Sequence, residues 1–196
     1  MEEMTFKKAV ITCFKKYCVF KGRARRSEFW YWTLFTFLVS IGFSALKGLV
    51  SIFTLNKGTG STTVDTVFVI ITIGWTLATL LPTLGVSVRR LHDTDHSGWW
   101  LLAAYILEIV GLVLVMGSMV PALLSGSTPD FANMSGITTV IGGIILLASF
   151  ALLIVLLVFY IKDGFPGTNP YGPNPKEILL EPGEDIFDDT PSETEE

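Results

Sequence analysis

The stretch Arg89–Trp100 reads Arg-Arg-Leu-His-Asp-Thr-Asp-His-Ser-Gly-Trp-Trp and holds both histidines of the chain. His92 beside Asp93 is a pairing that general acid–base chemistry uses: a carboxylate orients an imidazole that titrates near neutrality. His92 and His96, four residues apart, would share a metal on a continuous helix, with Asp93 and Asp95 adding oxygen ligands. Ser97 and Gly98 follow too closely for a helix to run through His96, and no nucleophile elbow or His-Glu-x-x-His motif accompanies the pair. No catalytic residue, metal site or cofactor is assigned on this pattern. Arg89 and Arg90 suit anions, because a guanidinium forks onto phosphate or carboxylate oxygens. The plainer reading is structural: the arginines hold topology, Asp93 neutralises one of them or caps a turn, and His92 bonds a loop carbonyl.

The elements around this stretch belong to a membrane. Half of the 196 residues are apolar or aromatic and only 16% are charged, against roughly 25% in soluble proteins. Four apolar runs, about 29–55, 64–88, 99–120 and 137–161, are each long enough to cross a hydrocarbon core of ~30 Å as a helix. The expected fold is all-α and integral to the membrane, with four transmembrane helices as two hairpins over 29–161. A basic segment, 1–28, precedes them. In it Phe6, Ala9, Val10, Cys13, Phe14 and Tyr17 recur at helical spacing while Lys7, Lys8, Lys15 and Lys16 take other positions, the pattern of an amphipathic interfacial helix. Such a helix lies among headgroups or packs on the protein itself. Residues 162–176 are rich in Gly, Pro and Asn and predict consecutive turns. Residues 177–196 form an acidic tail with the composition of disorder. Cys13 and Cys18 lack the spacing of a zinc site and read as apolar helix residues.

Lysine and arginine distribution sets the expected orientation. The head is strongly basic, the 56–63 loop holds only Lys57, the 89–98 loop holds Arg89 and Arg90, and the 121–136 loop holds neither type. Both termini are therefore expected in the cytoplasm. Phe29, Trp30, Tyr31 and Trp32 open the first span and Trp99-Trp100 the third, as aromatic belts. Ser27 and Ser97 are candidate N-caps, and Pro82 is expected to kink the second helix near its end. Lys47, about 27 Å past Phe29 by helical rise, reaches the far interface. Glu108, about 14 Å past Trp99, is a carboxylate deep in a span, and an intramembrane acid calls for a partner. Thr76 and Thr79 reach comparable depth.

Three groups of residues resemble the bacterial inner-membrane domain-of-unknown-function family 805. They are Gly22, Arg23, Arg26, Glu28, Phe29 and Trp30; then Arg89, Arg90, His92, Asp93, Ser97, Gly98, Trp99 and Trp100; then Gly164, Gly167, Asn169, Tyr171, Gly172 and Pro175. The resemblance covers roughly residues 5–176, and the middle group is the specific one. Family members often carry Gly and a basic residue where this chain has Asp95 and His96. The resemblance implies an integral protein of the bacterial inner membrane and supplies no activity.

With both termini inside, all three groups converge on the cytoplasmic face. Arg23, Arg25, Arg26, Arg89 and Arg90, beside the N-termini of the first and third spans, would then surround an anion such as a lipid phosphate. Glu28 and Asp93 would orient guanidinium groups, and 164–175 would form a lid or frame. The expected role is non-enzymatic: a membrane scaffold, or a protein binding anionic lipid or a partner, either a second copy or another membrane protein. No nucleic-acid motif occurs. The alternatives are a small proton-coupled transporter using Glu108 and a membrane enzyme acting on a phosphorylated headgroup through His92 and Asp93.

Overall fold

The structure, a computed structural model, describes residues 4–55, 61–124 and 136–176. Among the described residues five helices follow one another: α1 (Phe6–Lys15), α2 (Arg26–Leu55), α3 (Ser61–Asp93), α4 (Trp99–Leu124) and α5 (Ile137–Ile161). Among the described residues there is no strand, only an isolated bridge between Asn169 and Gly172. Four of these helices are long and apolar enough to span a membrane: Arg26–Phe53, Thr63–Asp93, Trp99–Val120 and Ile137–Ile161. Large apolar side chains such as Phe37, Ile70 and Phe150 lie about 60% exposed along them, which suits lipid and not water. The acidic tail lies outside the described residues.

Two boundaries differ from expectation. The second spanning helix does not stop at Val88; it runs through Arg89, Arg90, Leu91 and His92 to Asp93. Arg and Leu are good helix formers, and nothing in 89–93 interrupts the backbone ladder. The break comes two residues later, where Asp95 takes a left-handed φ of 61°, a conformation that aspartate tolerates and glycine favours. The first spanning helix begins at Arg26, so Ser27 lies in its first turn and not at its cap. Ser97 does serve the start of α4, its hydroxyl accepting from the Trp99 N–H at 3.3 Å.

Each hairpin packs by different means. In α2–α3, Trp32 Nε1 donates to Thr83 Oγ1 at 3.0 Å, and the rings of Phe35 and Phe43 meet Trp75 edge-on. Lys47, expected at the far interface, ion-pairs there with Asp65 at 3.0 Å. In α4–α5 the helices approach through small residues. A Cβ on Gly142 would lie 2.9 Å from the Leu114 and Val115 side chains and 3.1 Å from the Gly111 carbonyl oxygen, the close-packed contact typical of membrane helices. The hairpins join at the end that carries Arg89–Trp100. There Phe29 packs on Tyr160 with ring centroids 4.4 Å apart, and Cys13, Trp32, Val86, Leu91, Leu101, Ala104 and Leu156 form a shared core.

Helix α1 lies against the first hairpin and not free among headgroups. Thr5 caps it by accepting from the Lys8 N–H. Ala9 and Cys13 are buried, and Phe14 sets its ring against Trp32 and Phe35. Just beyond it, the Tyr17 hydroxyl donates to the Ala78 carbonyl at 2.8 Å. That carbonyl lies four residues before Pro82, which sits inside α3 and has no N–H to offer it. Tyr17 thus supplies the donor that the proline removed. Tyr17→Phe should cost about 1 kcal/mol in detergent denaturation, and the cost should vanish in a Pro82→Ala background. Equal costs in both backgrounds would show that the hydroxyl does some other job.

Candidate functional site

Arginine and carboxylate side chains from three separate segments meet at the joined end of the hairpins. The segment 22–28 brings Arg23, Arg25, Arg26 and Glu28; the last turn of α3 brings Arg89, Arg90 and Asp93; the segment after α5 brings mostly backbone carbonyls. Arg23, Arg89, Arg90, Glu28 and Asp93 are all buried, the two α3 arginines to within 1%. Ionised groups out of water need compensation, and here each pairs inside the chain, although the buried Arg89 Nε has no partner among the described residues.

Asp93 is the centre. One oxygen accepts from Arg23 at 2.9 Å and the other from Arg90. Arg23 also donates to the carbonyls of Phe165, at 2.6 Å, and Gly167. Arg90 donates to the carbonyls of Tyr160, at 3.2 Å, and Lys162. Arg89 pairs with Glu28 at 3.0 Å and donates to the Val19 carbonyl at 2.9 Å. At the rim, Arg25 donates to the Pro175 carbonyl at 2.9 Å, and burial pulls its guanidinium downward while Asp93 and Glu28 hold it up. Arg26, partly exposed, pairs with Asp163 and donates to the Ile161 carbonyl at 3.0 Å.

The carbonyls chosen are informative. A helix leaves its last four C=O groups unpaired and carries partial negative charge at that end. Tyr160, Ile161 and Lys162 end α5, so Arg26 and Arg90 dock on its C-terminus. Three buried guanidiniums face two buried carboxylates, and the α5 carbonyls offset the excess. Helix C-termini, rather than the expected N-termini of α2 and α4, organise the charge here.

The Gly/Pro-rich segment closes this clasp from one side. The Phe165 N–H donates to the Asp93 carbonyl at 2.7 Å. A Cβ at Gly164 would fall 2.1 Å from Asp93 Oδ2, so only glycine permits that approach. Asn169 donates through its side chain to the His92 carbonyl at 2.8 Å and accepts from the Tyr171 N–H at 3.0 Å. Asn169 and Gly172 exchange both backbone hydrogen bonds, and Gly172 takes a φ of +136°. Tyr171 then lies flat on the His92 ring, centroids 3.9 Å apart and planes 4° from parallel.

A family described as "Protein of unknown function (DUF805)" matches residues 17–173, which include all of this clasp but the Pro175 carbonyl. The chain belongs to that family. It is a multi-pass inner-membrane protein. The inner membrane protein YhaI of Escherichia coli (strain K12) is 34% identical over 106 residues, 54% of this chain and 78% of YhaI. The inner membrane protein YhaH of the same strain is 29% identical over 168 residues, 86% of this chain and 93% of YhaH. No solved structure matches.

The other predicted site residues of this DUF805 chain fall into place around the clasp. His92 Nδ1 lies 3.2 Å from the Gly22 carbonyl, and the Asp93 oxygens are taken by arginines. The two side chains therefore do not form the acid–base dyad that their adjacency suggested. His96 stacks on Phe159 and contacts Thr94 Oγ1 at 3.2 Å, so the two histidines address different partners. Trp30, Trp99 and Trp100 are exposed, Trp99 by 74%. A Cβ at Gly98 would fall 2.9 Å from Val88. The five arginines are brought together, but their donors turn inward and do not ring an open phosphate site. Glu108 lies elsewhere, exposed on α4.

Sequence reasoning missed the carbonyls of Tyr160, Lys162, Phe165 and Gly167 as the arginines' partners. A signal existed: a Gly/Pro run without regular structure leaves its carbonyls in need of donors. Asp93→Ala should cost about 3–5 kcal/mol by stranding two buried guanidiniums, and Gly164→Ala should also destabilise. Asp95→Gly should raise stability by roughly 1 kcal/mol at its left-handed φ. Thermal denaturation in mild detergent checks all three. An unchanged midpoint for Asp93→Ala would remove the clasp from the stability of the fold.

Proposed function

We propose that this DUF805 protein is a non-enzymatic membrane scaffold with both termini in the cytoplasm, whose arginine clasp is structural and whose lysine-bearing α1 meets anionic headgroups. The observation that carries the reading is that Arg23, Arg25, Arg26, Arg89 and Arg90 all donate to acceptors of the chain itself. Guanidiniums so engaged are poor candidates for a free phosphate, since an incoming anion would have to displace Glu28 or Asp93 in a desolvated setting.

The lysines differ. Lys7, Lys15 and Lys21 are exposed. A shallow groove on α1 is lined by Thr5, Lys7, Lys8, Ile11, Thr12 and Lys15. Exposed Ile11, Val19 and Phe20 accompany them, so the segment offers apolar contact together with positive charge. Each lysine beside an anionic surface contributes about 1 kcal/mol. The excess of Lys and Arg in the segments expected inside supports the orientation. The enzymatic alternative loses support with the missing His92–Asp93 hydrogen bond.

The test is co-purified lipid. Replacing Lys7, Lys15 and Lys21 by Gln should deplete phosphatidylglycerol bound to detergent-purified protein without lowering its denaturation midpoint. Unchanged lipid content would sink the lysine-face reading. Orientation has its own probe in the two cysteines. Cys18 is exposed, whereas burial pushes the Cys13 thiol up to about 12. A membrane-impermeant maleimide should label Cys18 in inverted inner-membrane vesicles and leave Cys13 unmodified. Labelling of Cys18 in intact spheroplasts would reverse the topology.

A further inference from the structure

The lysines of α1 and the acids of residues 184–189 carry matching patterns. Lys7, Ile11 and Lys15 follow at steps of four and therefore share one face of α1. All three are exposed and line the same groove. Helical rise puts the two lysines about 12 Å apart, with Ile11 midway. Among the described residues no ion pair engages Lys7 or Lys15. Along the helix this face reads cation, apolar, cation.

Residues 184–189 read Glu-Asp-Ile-Phe-Asp-Asp: an acid pair, an apolar pair, an acid pair. Laid out at ~3.3 Å per residue, the two acid pairs are centred about 13 Å apart. Glu184-Asp185 and Asp188-Asp189 then match the two lysines in separation, and Ile186-Phe187 falls opposite Ile11. The clasp delivers both partners to one place. Arg25 holds the Pro175 carbonyl at 2.9 Å, and Arg89 holds the turn after α1 through the Val19 carbonyl at 2.9 Å. The chain from Pro175 to Glu184 reaches about 30 Å, twice the ~15 Å length of α1. Four spans lie between α1 and Pro175, so both are on one side of the membrane.

We propose that segment 184–189 of the chain docks on the Lys7–Ile11–Lys15 face of α1 and competes there with anionic headgroups. The contact itself stands on the matching patterns and the tether; the competition rests on the lysine-face reading of α1. Exposed ion pairs are individually weak and screened by salt, but the tether makes their formation intramolecular and so raises the effective concentration of the acids. The apolar pair over Ile11 sets the register that charge alone leaves loose. An anionic surface attracts the lysines and repels the acids. A bilayer rich in phosphatidylglycerol therefore displaces the segment, and one without it leaves the segment in place. The basic face is thus covered by the chain's own acids until the membrane supplies stronger ones.

Carbodiimide cross-linking of the full chain in phosphatidylcholine nanodiscs, one copy per disc, tests the contact. Mass spectrometry should find Lys7 and Lys15 joined to acids of 184–189 and not to Glu193, Glu195 or Glu196. Ile186→Ser with Phe187→Ser, which keeps every charge, should weaken these links. Discs of phosphatidylglycerol should lower them about fivefold, the factor for one lysine at an anionic surface. Replacing Glu184 by Gln and Asp185, Asp188 and Asp189 by Asn should abolish them and raise the phosphatidylglycerol retained in detergent, with the denaturation midpoint unmoved. No link in phosphatidylcholine, links spread evenly over all the acids, or links indifferent to the two serines would each overturn the proposal. So would lipid content that falls with Lys7, Lys15 and Lys21 replaced by Gln but ignores the neutralised segment. Links that form while lipid content ignores the lysines would uphold the contact and sink the lysine-face reading alone.

Discussion

A guanidinium taken out of water must find acceptors for its donors, and this requirement governs the joined end of the molecule. Arg89 and Arg90 sit at the end of a long apolar helix with almost no exposed surface. Their partners come from residues up to seventy-odd positions away: Glu28 and Val19 for one, Asp93, Tyr160 and Lys162 for the other. The chain order of these partners sets the architecture. Segment 19–28 must return to α3, and the C-terminus of α5 must meet α3 as well. Two hairpins that share little surface elsewhere are thereby tied at one end.

The same requirement accounts for residues that look unrelated in the sequence. Gly164 is small because the Asp93 carboxylate lies against it. Segment 164–175 is irregular, and three of its carbonyls serve Arg23. Asn169 holds the His92 carbonyl, and Tyr171 covers the His92 ring. Tyr17 answers the carbonyl that Pro82 leaves without a donor. In each case a backbone or charged group without a partner is satisfied by a side chain remote in sequence.

Much of this is legible in the sequence. The four spans announce themselves by length and hydropathy, because a bilayer demands about twenty apolar residues per helix. The convergence of Gly22–Trp30, Arg89–Trp100 and Gly164–Pro175 follows from an even number of spans between them. What the pattern could not give was the direction of the arginine donors. Arginines beside a membrane face either a lipid phosphate or a helix C-terminus, and the two demand the same residue type. The end of α3 is hidden for another reason: Arg89–Asp93 is polar and polarity suggests a loop, whereas its residues are competent in a helix. The His92–Asp93 pair misled for the related reason that neighbours on a helix diverge by about 100°.

Asp93 holds the hairpins together through Arg23 and Arg90, and a distance measurement tests that most directly. Spin labels at exposed Leu34 on α2 and Val158 on α5, in a background with Cys13 and Cys18 replaced by Ala, report the separation of the hairpins by pulsed electron resonance. The parent protein should give one narrow distance distribution in liposomes. Asp93→Ala should broaden it, while a label pair within one hairpin, Leu34 and Leu80, stays narrow. An unchanged distribution between Leu34 and Val158 in Asp93→Ala would contradict the account.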